Sequence, residues 1–146
     1  MIDLVSYTLD TDRFMEACNR QFAGALVRLG DDKELFRELI SFFREDAPHL
    51  LAAIRAGAAK GRKDDVVRAA HSIKGLSANF DAEKAMAIAN SIEQMARKGE
   101  MRGLSSALVD LEVEVRTLQR ALSEYMAQSP SSRSSKQSSD SLERPG

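Results

Sequence analysis

The chain has 146 residues, 43% of them apolar and 29% charged, with 21 basic against 22 acidic side chains and a net charge of -1. That length suits one domain with its own core, and the balanced charge excludes a long-range field that would draw nucleic acid or an anionic membrane surface. The lone cysteine, Cys18, excludes an internal disulfide and a multi-thiolate metal site and leans toward a reducing compartment.

The first residues, MIDLVSYTLDTDRF, carry no basic segment followed by an apolar one, and no apolar run reaches the roughly 20 residues of a membrane span. The expectation is a cytoplasmic protein without a membrane segment. Residues 1–21 read as an N-terminal extension, helical in part. A weak helical pattern runs through Phe14, Cys18, Phe22, Ala25 and Leu29, as one helix or two short ones.

The next helix opens at GDDKELF, where Asp31 or Asp32 can accept from orphan N–H groups and Glu34 suits the positive helix end. Its apolar face is Leu35, Phe36, Leu39, Ile40, Phe43, Leu50, Leu51 and Ile54. Pro48 lies inside the run and removes one helical bond, so a kink is expected near Arg44 to Pro48. Gly61 ends this helix. The following one is predicted from about Lys63 to Asn79. Another runs from Asp81, taken as its N-cap, to about Lys98, with Ala85, Ile88, Ile92 and Met95 inward and Gly99 closing it. The last is the clearest, because Leu104, Leu108, Leu111, Val115, Leu118 and Leu122 step by four and three along one stripe. From residue 128 to 146 serine dominates and large apolar side chains all but vanish; such a segment cannot offset its ordering entropy by burial and reads as a disordered tail or linker.

Long amphipathic helices on short connections favour antiparallel neighbours. The predicted fold is all-α, an up-and-down four-helix bundle over residues 22–127 with an additional N-terminal helix.

Within that bundle the segment AAHSIKGLSANF, residues 69–80, carries chemistry. On a helical wheel at about 100° per residue, Val66, Ala69, Ala70, Ile73, Ser77 and Phe80 share the core face, and His71 lies nearly opposite. Lys74 stands one turn on, and Gly75 and Ala78 strip the rest of the surroundings of bulk. A mid-helix glycine costs roughly 1 kcal/mol relative to alanine, so close approach of another backbone or a phosphoryl group is a physical reason for Gly75. A neutral imidazole is a nucleophile, and a lysine at i+3 can offset the charge of phosphoryl oxygens. The alternative is a solvated helix face with no chemistry. His49, in DAPHLL, has no partner at metal-ligand spacing and reads as structural or solvated.

AHSIKGLSANF resembles the phosphoacceptor segment of histidine phosphotransfer (HPt) domains, whose pattern is A-H-x-x-K-G followed by small residues. The likeness extends from about Phe22 to Leu122, through the acidic cap, the helix with DAP at its middle, and AMAIANSIEQMARKGE after the histidine helix. It implies a bundle in which His71 accepts a phosphoryl group through Nε2 from a receiver-domain aspartate and passes it to another receiver. It also implies that Lys74 assists the phosphoryl oxygens and that Gly75 gives the receiver loop room. Glu93 falls where relatives place a polar side chain facing the imidazole, against the alternative of a solvated charge. The implied partners are response regulator receiver domains and a hybrid sensor histidine kinase, with no nucleic acid or membrane, and the chain acting as a monomer. No cofactor or metal is expected on this chain, since the receiver supplies the Mg²⁺ ligands. No nucleotide-binding motif supports self-phosphorylation from ATP.

Two departures stand out. Asp81 occupies the place ten residues after the histidine where many members have glycine, which implies a shifted turn using Asn79 or Asp81. Leu76 replaces a small residue after Gly75. Two other functions compete: a non-catalytic helical adaptor that binds a receiver or kinase without transfer, and a helical oligomer joined through the 104–122 stripe.

Overall fold

The computed structural model describes residues 20–128. Helix α1 covers the described residues 20–28, and α2 (Lys33–Ala59), α3 (Lys63–Ala78), α4 (Glu83–Arg97) and α5 (Leu104–Gln128) follow. Among the described residues there is no strand. α3 packs on α2 and α4, and α5 closes the ring against α4 and α2, the neighbour order of an up-and-down bundle. Phe14, Cys18 and nearly all of the serine-rich segment lie outside the described residues; the helix reaches Gln128 itself.

Local chemistry sets the boundaries. Asp32 caps α2 by accepting from Leu35 N at 3.0 Å, while Asp31 takes a left-handed φ of 59°. Gly61 and Gly99 adopt φ of +68° and +75° just past α2 and α4, the conformation glycine reaches without steric cost. α2 runs through Pro48 as one continuous helix. Asp81 does not cap α4. The N-cap is Ala82, with no side-chain cap bond, and Asp81 turns the chain with a φ of 53°. It thus adopts the backbone that a glycine would supply there, a conformation aspartate tolerates better than most residues. Its carboxylate accepts from Arg28 Nη1 at 2.5 Å, and Arg28 Nη2 donates to Ala78 O at 3.0 Å. These bonds tie α1 to the α3–α4 turn.

The core holds Phe36, Ile40, Phe43, Ala47 and Ile54 from α2, the predicted α3 face, and all six side chains of the α5 stripe. That stripe therefore packs into this chain's own core. Leu35 is exposed, and Leu39, Leu50 and Leu51 are half-buried at the margins. On α4, Ala85 and Ile92 are buried as expected, together with Ala89, Glu93 and Ala96, while Ile88 and Met95 are half-buried. The small alanines lie on one stripe and let α4 press close to α3, which rotates Ile88 and Met95 to one flank and Glu93 to the other.

Candidate functional site

α3 presents its two faces as its apolar spacing dictates. Val66, Ala69, Ala70, Ile73 and Ser77 are buried, and the His71 side chain projects outward, 67% exposed. Gly75 is exposed, and a Cβ added there would meet nothing within 4 Å. Nothing among the described residues therefore demands glycine at this position, leaving open space one turn from the imidazole. Leu76 lies partly buried against the core.

Glu93 reaches His71 from α4. Its side chain is only 3% exposed, and three groups converge on it. Lys74 Nζ donates to Oε1 at 2.8 Å, Arg97 Nη2 donates to Oε2 at 2.8 Å, and His71 Nδ1 lies 3.4 Å from Oε1 and 3.3 Å from Oε2. Lys74 Nζ also donates to Asn90 Oδ1 at 3.2 Å. The Lys74 hydrogen bond, and then that of Arg97, hold the carboxyl well below its ordinary value of 4.5, lowered to about 2, with His71 adding to them and burial opposing. Glu93 is therefore ionised at neutral pH.

An ionised carboxylate only accepts hydrogen bonds, so the His71 nitrogen facing it carries the proton. In the neutral ring the lone pair then resides on Nε2. The buried carboxylate thus favours the tautomer with the proton on Nδ1, on a side chain that is largely exposed. A groove between α2 and α3 is lined by Asp46, His49 and Leu50 on one wall and Ser72, Gly75, Leu76 and Asn79 on the other. His49 is exposed on that wall.

His71, Lys74 and Glu93, which are separated by up to 22 residues, meet in one cluster, and Gly75 forms its open side. Asn90 and Arg97 belong to the same cluster and were missed from sequence. The available signal was spacing: Asn90, Glu93 and Arg97 step by three and four along one flank of α4. Its orientation relative to α3 depends on how the two helices pack. Among the described residues no three His, Cys, Asp or Glu side chains group as a metal site.

The site is thus an exposed histidine on the outside of a helical bundle, facing a buried carboxylate, with a lysine one turn away. A family model for the Hpt domain matches residues 38–128, more than half of the chain, and the chain belongs to that family. Hpt domains serve histidine phosphotransfer in two-component phosphorelays, where they interact with receiver domains and kinases. Searches of curated proteins and of solved structures each found no match. No helix among the described residues is long and apolar enough to cross a membrane.

Proposed function

We propose that His71 is the phosphoacceptor, taking a phosphoryl group from the aspartyl phosphate of one receiver domain and passing it to the aspartate of another. The observation that carries this reading is the exposed imidazole whose Nδ1 faces the buried, ionised Glu93. In the forward step the Nε2 lone pair forms the N–P bond as the acyl phosphate P–O bond breaks, and the donor carboxylate leaves with the electron pair of that bond. Nδ1–H stays on Glu93, whose negative charge offsets the positive charge developing on the ring. Passing the group onward is the reverse process with a second receiver's carboxylate as nucleophile.

Lys74 offsets charge on the transferring oxygens, and Gly75 admits the receiver's loops to the face beside the ring. The Mg²⁺ for such a transfer comes with the receiver's own acidic residues. A hybrid sensor kinase carrying a receiver is the upstream donor, and the cytoplasm is the site of action. The chain acts as a monomer and supplies no kinase activity of its own.

The test is transfer from receiver domains charged with radiolabelled acetyl phosphate. Wild-type chain becomes labelled with an acid-labile phosphate, whereas His71→Gln stays unlabelled. Receiver binding that survives His71→Gln, with no label on wild type from any active receiver, supports the adaptor reading instead.

A further inference from the structure

Lys74 is engaged before any phosphoryl group arrives: its ammonium donates to Glu93 at 2.8 Å and to Asn90 at 3.2 Å. Two of its three N–H donors are thus committed, so to serve more than one phosphoryl oxygen on His71 it has to loosen its hold on these partners. A carboxylate only 3% exposed resists losing its counter-ion, because a buried charge without a partner is strongly unfavourable. With Lys74 alone the cluster would be locked in its resting arrangement.

Arg97 changes that balance. It holds the other carboxylate oxygen, Oε2, at 2.8 Å from the same helix, four residues on. Its grip therefore does not depend on α3 or on the position of Lys74. The Arg97 side chain remains 54% exposed, so it reaches the buried carboxylate from the solvent side. Glu93 has two cations where one would satisfy its charge, each on its own oxygen.

Resting on the phosphoacceptor reading of His71, we infer that Arg97 is a positioning residue that acts through Glu93: it is the standing counter-ion that allows Lys74 to move from Glu93 to the phosphoryl group. The charges stay matched through the exchange. In the resting state Glu93 faces Lys74 and Arg97. In the charged state it retains Arg97 and the Nδ1–H of His71, while Lys74 faces the phosphoryl oxygens.

The experiment is a transfer cycle with receivers charged by labelled acetyl phosphate, comparing wild type, Arg97→Ala, Arg97→Lys, Glu93→Gln and the double variant Arg97→Ala/Glu93→Gln. Arg97→Ala slows labelling of His71 by roughly fivefold or more, the scale of coupling within one charge network. Arg97→Lys restores most of the rate because a cation is what Glu93 requires. In the Glu93→Gln background Arg97→Ala has no further effect, since the carboxylate through which it acts is gone. Wild-type rates in Arg97→Ala, failed rescue by Arg97→Lys, or an equal loss with and without Glu93 each overturn the inference while leaving the phosphoacceptor reading intact. An unlabelled wild type or a labelled His71→Gln chain overturns both.

Discussion

Two clusters hold this bundle, and they are built in opposite ways. At one end Phe22, Phe36, Phe43, Phe80 and Tyr125 form a web of tilted and edge-on rings with centroids 5.0 to 6.4 Å apart. It joins α1, α2, α5 and the α3–α4 turn. In the other, Glu93 gathers Lys74, His71 and Arg97 from α3 and α4 alone. The first excludes water on every side; the second buries one carboxylate and leaves its cationic and imidazole partners at the surface. The aromatic cluster holds the fold by apolar packing and the polar one by matching a buried charge to its partners.

That contrast breaks most readily at Phe36, whose ring touches those of Phe22, Phe80 and Tyr125. Phe36→Ala is expected to cost about 3–5 kcal/mol, read as a lowered urea midpoint. Charging of the folded fraction on His71 should be unchanged.

Glu93 sharpens it through acid. Its carboxyl is lowered from 4.5 to about 2 in the folded chain, so between these values the unfolded state binds more protons and stability rises with pH. The contribution is complete above the ordinary value of 4.5 and lost as pH falls through about 2. Glu93→Gln should flatten this part of the stability-against-pH curve in urea titrations, and wild type and variant curves that remain parallel there would contradict it.

Two glycines give the smallest and sharpest contrast. A Cβ at Gly57 would lie 2.9 Å from Val66 Cγ2 and 3.3 Å from Arg62 O, so Gly57→Ala should destabilise by about 1–3 kcal/mol through overpacking. Gly75 has open space, and Gly75→Ala should stabilise α3 by up to about 1 kcal/mol while slowing phosphoryl transfer from a receiver. A thermal melt of each variant beside its transfer rate separates the two effects.

Much of this was legible in the chain itself. An acidic cap and a glycine marked the two ends of α2, a glycine marked the close of α4, and the period of leucines announced α5. The wheel of α3 placed His71 outside, because one helix's spacing decides which residues face the same way. Across helices the spacing decides less. Asp81 looked like a cap and is instead the left-handed turn residue bound by Arg28. Glu93 looked equally suited to water, yet the alanines beside it draw α4 inward and bury it. Phe22 and Phe36 lie outside the residues matched by the family model and are nonetheless fully buried in the core.

The amino-acid sequence determined the helices, their apolar faces and the outward histidine, since these follow from periodicity and capping within about a turn of each residue. Only the tertiary structure decided that Glu93 would be buried and shared with Lys74 and His71 across from α3. A buried charge takes its partners from whatever packing brings within about 3 Å, and that distance is set by how α4 rotates against α3.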